Sequence, residues 1–180
     1  MVVCREDDSG HEVVPAKATR HVKVFVHSFG YARGSVRSIK NASGKYPIHP
    51  NYLIDARSLR PVKKSSVYKG KRLSALDGRY VEVQQFVDKL GDLRRLVHSE
   101  AECIASKINE WNNWEFINVA IGSKWGRHRA VAVQTAIISV LREKLAEYGI
   151  SATFKVTYFG FLPEPMVVKP TGRPKSTCDE

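Results

Sequence analysis

The sequence has few cysteines, no long apolar run and a shortage of acidic residues. Cys4, Cys103 and Cys178 are odd in number and scattered, with no C-x-x-C pair and no histidine at ligand spacing. That excludes a disulfide framework and a structural zinc site, so no metal is expected. The most apolar stretch, Ala130 to Leu141, is broken by Gln134, Thr135 and Ser139 and is too short to span a bilayer. Where a signal peptide would need an apolar run, the chain carries Arg5, Glu6, Asp7 and Asp8. A soluble, reducing, cytoplasmic setting follows, with no membrane partner. No internal repeat or low-complexity tract is present. The acid shortage is 18 Asp plus Glu against 29 Lys plus Arg, a formal charge of +11. Charge alone fits a solvated basic surface as well as it fits a phosphorylated or polyanionic ligand.

What is present suits one domain with tails: 180 residues, 43% of them hydrophobic, are enough for a core without disulfides. Residues 1–20 lack a sustained period and are expected to form a mobile leader. His21 to His27 alternates and is β-branched, which predicts a strand ending at Ser28-Phe29-Gly30-Tyr31. Ala32 to Pro50 reads as a long irregular loop. Asn51 to Arg57 predicts a second strand, whose two-residue period would bring Asp55 and Arg57 to one face at its carboxyl end. A basic loop follows, with Arg60, Lys63, Lys64, Lys69, Lys71 and Arg72. It is either a solvated charged loop or an RNA-binding surface, and its composition alone favours the former.

From about Val81 the period becomes helical, with Val83, Phe86, Val87, Leu90, Leu93, Leu96 and Val97 on one stripe, and a second helix is expected over about Ser99 to Asn109. Phe116 to Ile121 is the apolar run of a central strand buried on both faces. A helix from about His128 to Tyr148 follows, stopped by Gly149, and Thr153 to Phe159 predicts a last strand. Prolines at 163, 165, 170 and 174 argue for an extended tail over 163–180. The order predicts an α/β fold in which helices flank a mostly parallel sheet, the domain running over 21–162, with its ligand at the carboxyl ends of the strands.

Between the central strand and the long helix lies Gly122-Ser123-Lys124-Trp125-Gly126-Arg127-His128-Arg129. A helix start leaves backbone N–H groups unpaired and carries the positive end of the macrodipole, so an anion is favoured there. Gly122 and Gly126 are expected to take positive φ and let the backbone approach a ligand closely. A Walker A loop fails here: one residue is missing between the glycines, and Arg127 stands where lysine belongs. Gly44-Lys45 and Gly70-Lys71 fail too, and G-x-G-x-x-G is absent, so no cofactor is expected. The cysteine-phosphatase loop C-x-x-x-x-x-R-[ST] fits in spacing from Ser123 to Arg129, with an alcohol in place of the thiolate and Ala130 in place of the following hydroxyl. Phosphate binding survives those changes better than attack on phosphate does. His128 is an acid or base, with Asp55 beside it in an enzyme, or it is only a donor to a ligand oxygen, the preferred role. Trp125 either stacks on a base or sugar or packs to fix the loop, and packing is the preferred role.

The run Val119-Ala-Ile-Gly-Ser-Lys-Trp-Gly-Arg-His-Arg-Ala-Val131 resembles the I-G-C-T-G-G-(K/R)-H-R-S-V signature of the RapZ C-terminal domain family. Ser28-Phe29-Gly30-Tyr31 with Gly34, Ile54-Asp55-Ala56-Arg57-Ser58-Leu59, Ser74-Ala75-Leu76-Asp77 and Glu82 to Phe86 are similar to further family motifs in the same order, over about residues 21–160. The resemblance implies a regulatory domain that binds RNA and a phosphosugar, glucosamine-6-phosphate being the family's sensed ligand, with a small RNA and an endoribonuclease as partners. It implies ligand contacts at Asp55, Arg57, His128 and Arg129. The family's amino-terminal nucleotide-binding domain is not expected here. Departures fall at Ser123, at Lys124-Trp125 in place of Thr-Gly, at Ala130, and at Lys63 in place of a histidine. The expectation is therefore a binding domain that grips a phosphorylated ligand on 122–129 and RNA on its basic surface; a phosphatase using His128 and Asp55 is the alternative, and a homo-oligomer stays open.

Overall fold

The computed structural model describes residues 20–34, 49–89 and 91–159. Residues 1–19 of the expected leader, 35–48 of the long loop, Leu90 of the helical stripe and the Pro-rich tail over 163–180 lie outside the described residues. Strand β1 spans Arg20–Gly30 and buries Val22, Val24 and Val26 completely on one face, as its alternation predicts. It starts at Arg20, one residue inside the expected leader. The Arg20 guanidinium donates to the carbonyl oxygens of Ile108, Trp111 and Trp114 at 2.8–3.0 Å, which ties the strand's start to the turn before the central strand.

The main sheet joins β1, β2 (Tyr52–Asp55), β5 (Phe116–Ser123) and β6 (Ile150–Tyr158) in the order β2-β5-β1-β6, every pairing parallel. The fold is thus α/β, with helices α1 (Val81–Val87), α2 (Asp92–Glu110) and α3 (Arg129–Glu147) flanking the sheet. Strand β5 is central as expected, but only its second half is buried on both faces; Phe116 is exposed and Asn118 half-buried. Register aligns Gly30 with Ser123 and Asp55 with Gly122, so three strands end together at the carboxyl edge. Helix α3 leaves that edge, packs on β1, β5, β6 and α2, and ends as expected at Gly149, whose φ is +69°.

Three expectations change. The strand expected over 51–57 ends at Asp55, because Ala56–Ser58 closes into a 3-10 turn capped by Asp55, whose carboxylate accepts the Arg57 N–H. Asp55 and Arg57 still meet, but through this tight turn rather than through strand pleating. The helical stripe is broken at Gly91 (φ +76°), not near Ser99, so α2 begins at Asp92 and takes in the whole of the expected second helix together with the end of the stripe. The basic loop contains a hairpin, β3 (Val67–Tyr68) and β4 (Lys71–Arg72), turned by Lys69 and Gly70 with φ of +46° and +75°. Positive φ at both turn residues matches the twist of a two-residue hairpin. Among the described residues no helix is long and apolar enough to cross a membrane, and no cluster of three or more His, Cys, Asp or Glu side chains is placed to hold a metal.

Candidate functional site

The loop after β5 is held from behind by its own chain. The Ala32 N–H donates to the Lys124 carbonyl oxygen at 2.9 Å, and the Gly126 N–H donates to Ser123 Oγ at 3.1 Å. Gly126 has the expected positive φ, +74°, but a Cβ there would meet the Phe29–Gly30 backbone at 2.7 Å. Gly122 does not take positive φ, and a Cβ on it would meet the Tyr31 ring at 2.5 Å. Both glycines therefore allow close approach of the β1 end rather than of a ligand. Ser123 is 2% exposed. Its hydroxyl oxygen accepts a loop N–H where the phosphatase template would hold a nucleophile, an arrangement suited to shaping the loop.

The other face of the loop is open. A pocket of about 610 Å³ is lined by Val62, Lys63, Lys64, Arg72, Ser74, Trp125, Arg127 and His128. Beside it, a smaller one of about 200 Å³ is lined by Pro61, Val62, Ser123, Lys124, Trp125, Arg127, His128 and Arg129. The two share Val62, Trp125, Arg127 and His128 and form one continuous basin. Two stretches that the sequence separates by some sixty residues, the basic segment and the post-β5 loop, thus face each other. Among the described residues six cations line the basin (Lys63, Lys64, Arg72, Lys124, Arg127 and Arg129), and no carboxylate does. Positive charge of that density, offset only in part by Asp55 near Arg129 and Asp77 near Arg127, favours an anion.

The arginines are oriented by backbone oxygens. Arg129 Nη1 donates to the carbonyls of Arg57 and Leu59 at 2.6 and 3.0 Å, and among the described residues Nε and Nη2 remain as donors for a ligand. Burial lowers its pKa, with the Arg57 charge adding to that against the nearby Asp55. Arg127 Nη2 donates to the Ala75 carbonyl at 3.0 Å. His128 is the residue before α3. Burial lowers its pKa, and Arg127 and Arg129 push the same way, against a hydrogen bond with the Leu76 backbone and the charge of Asp77. Its Nε2 is buried without a hydrogen-bond partner among the described residues. The imidazole is thus held towards neutrality at the basin wall, with Nε2 turned away from solvent.

Asp55 and Arg57 line neither pocket. They bind each other, Arg57 Nε and Nη2 reaching the carboxylate at 2.7–3.0 Å, and the guanidinium lies 4.5 Å from the centre of the Tyr31 ring. The Arg57 hydrogen bonds hold the Asp55 pKa below its ordinary 3.8, outweighing the opposing effect of burial. Asp55 is therefore a fixed carboxylate, poorly suited to proton transfer, and the carboxylate that His128 senses is Asp77. Of the remaining basic-loop residues, Arg60 stacks at 3.9 Å over the Phe86 ring, Lys69 bonds Gln85, and Lys71 pairs with Glu82. Only Lys63, Lys64 and Arg72 of that group reach the basin. Sequence reasoning missed Pro61, Val62 and Ser74 as wall residues, and the proline after the 56–58 turn is the one local signal near them.

The family model for the RapZ C-terminal domain matches residues 22–157. A nucleotide-binding protein of Dichelobacter nodosus (strain VCS1703A) is 22% identical over 133 residues, which are 72% of this chain and 42% of that protein. The chain thus spans less than half the length of that relative. The match runs from β1 to β6 and includes every residue lining the basin, and on that ground the chain belongs to the RapZ C-terminal domain family.

Proposed function

We propose that this domain is a regulatory binding module that holds a phosphorylated ligand in the basin between residues 61–64 and 123–129, as a receptor rather than a catalyst. The observation that carries the reading is the lining itself, six cations and no carboxylate among the described residues around two joined pockets. The phosphate would lie against Ser123, Arg127 and Arg129 in the smaller pocket, with Arg129 Nε and Nη2 as its donors. Lys63, Lys64 and Arg72 would serve a second anionic or hydroxylated part of the ligand from the larger one. A sugar phosphate such as glucosamine-6-phosphate or a nucleotide fits this division by its chemistry. Against turnover stand the Ser123 hydroxyl, engaged by the Gly126 N–H, and the Asp55 carboxylate, engaged by Arg57. Titration calorimetry with inorganic phosphate, glucosamine-6-phosphate and adenosine monophosphate tests the reading. Binding of at least one is expected, weakened about tenfold in Lys64→Ala and in Arg127→Ala, as loss of a charge-assisted hydrogen bond predicts. No binding by any phosphate compound rejects it.

RNA is the second reading, and one observation favours it: Lys63, Lys64 and Arg72 are solvent-exposed as well as part of the basin wall, so a phosphodiester chain could run along them. Its test is the salt dependence argued in the Discussion.

A further inference from the structure

Trp125 is 55% exposed on a loop whose backbone is pinned on both sides. Behind it the Lys124 carbonyl accepts the Ala32 N–H, and ahead of it the Gly126 N–H is held by Ser123 Oγ. Its own carbonyl group lies so close to Gly30 that a Cβ there would come within 2.7 Å of it. The loop is therefore fixed by Ser123, Gly30 and Ala32. The indole does not belong to either buried cluster of the core. The packing role expected from sequence is not the one the side chain has. A large aromatic left in solvent on a rigid backbone needs no further backbone ordering when a flat ring settles on it, and its position decides what that ring is attached to.

That position is the wall shared by the two pockets, between the small one lined by Arg127, His128 and Arg129 and the large one lined by Lys63, Lys64 and Arg72. Lys124 Nζ lies over one face of the indole, 5.6 Å from its centre. The small pocket, about 200 Å³, suits a phosphate group, whereas the larger, about 610 Å³, leaves room for a ring system beyond it. Building on the phosphate-binding reading above, we infer that the basin takes a nucleoside phosphate, free or at the end of an RNA strand, with its base stacked on Trp125 and its phosphate on the Arg127–Arg129 side. Stacking on an indole needs a π-face and tolerates any base, so the site selects for the presence of a base rather than for its identity. A sugar phosphate without a base leaves the indole uncovered.

Calorimetry with inorganic phosphate, ribose-5-phosphate, adenosine monophosphate and a 5′-phosphorylated oligoadenylate separates the alternatives. The expected result is adenosine monophosphate bound about tenfold tighter than ribose-5-phosphate. Trp125→Ala should erase that difference while leaving ribose-5-phosphate within about twofold, and Trp125→Phe should keep most of it. An oligoadenylate bound tighter than the mononucleotide, with the same dependence on Trp125, makes an RNA end the ligand; equal or weaker binding makes it a free nucleotide. Equal affinity for adenosine monophosphate and ribose-5-phosphate, or equal loss of both in Trp125→Ala, overturns the stacking role and leaves phosphate binding intact. Failure of all four ligands together with glucosamine-6-phosphate overturns the phosphate reading itself.

Discussion

His27 and His128 are both held towards the neutral state by their surroundings. His27 is 3% exposed between the Phe25 and Phe159 rings, its Nε2 is 3.3 Å from Asn118 Oδ1, and burial lowers its pKa despite that bond. His128 is lowered by burial and then by Arg127. In the unfolded chain both titrate near their ordinary 6.5. Between that value and the lowered folded values the unfolded state binds more protons, so stability is present above pH 6.5 and declines as pH falls below it. The lowered carboxylates Asp55, Asp77 and Glu82 act in the same sense, but only below their ordinary 3.8 and 4.5. Glu100, raised by burial, acts in the opposite sense just above 4.5. The urea midpoint of the ligand-free protein should fall between pH 7 and pH 5, and His27→Gln should reduce that fall; a flat midpoint over this range contradicts it.

At the scale of elements, the start of α3 decides the shape of the basin. The helix has no side-chain cap at His128 and no acid in its first turn, and the turn at Gly78 is seated directly against its amino end. The Gly78 N–H donates to the Arg127 carbonyl at 3.0 Å, and a Cβ on Gly78 would fall against the His128 carbonyl oxygen and the Ala132 nitrogen, well inside van der Waals contact. Asp77, 3% exposed and paired with Arg79, anchors that turn. Gly78→Ala should destabilise the fold by about 1–3 kcal/mol, as overpacking against backbone does, and should weaken phosphate binding by displacing Arg127 and His128. Thermal unfolding beside calorimetry checks this, and an unchanged melting temperature would rule out the tight seat of α3 on this turn. Strands β1, β5 and β6 and helix α3 were legible because their periods are carried by their own residues. The α1–α2 break was not: Val83, Phe86, Val87, Leu93 and Val97 are all buried, so the apolar stripe runs on through Gly91 as though one helix continued. The β3–β4 hairpin escaped notice because Lys69, a residue that seldom takes positive φ, stands where Asn or Asp usually signals the turn. The cations of 123–129 and of 63–72 could be named from sequence. Their convergence could not, since only the tertiary packing brings Val62 beside Trp125. Nor could the role of Gly122 and Gly126, whose space is filled by Tyr31 and Phe29–Gly30.

For the whole molecule, a charge of +11 attracts any polyanion, and the useful distinction is which cations are available to it. Lys71 is paired with Glu82, Lys69 is bonded to Gln85 and lies 5.3 Å from the Tyr68 ring centre, and Arg60 covers Phe86. These three already have partners. Lys63, Lys64 and Arg72 have the basin in front of them instead. A single-stranded RNA neutralised by the second group releases counterions there, each phosphate contact adding about 0.7 to the slope of log affinity against log salt. Replacing Lys63, Lys64 and Arg72 together by glutamine should therefore lower that slope by about 2. The same change at Lys69 and Lys71 should lower it by less than about 1, because Lys71 already has a carboxylate for a counterion. Filter binding of a short single-stranded RNA across a salt series reads both slopes. Equal reductions would mean that the protein's overall field, rather than the basin, holds the strand. No association even at low salt would exclude RNA as a ligand of this domain and leave the basin to small phosphates.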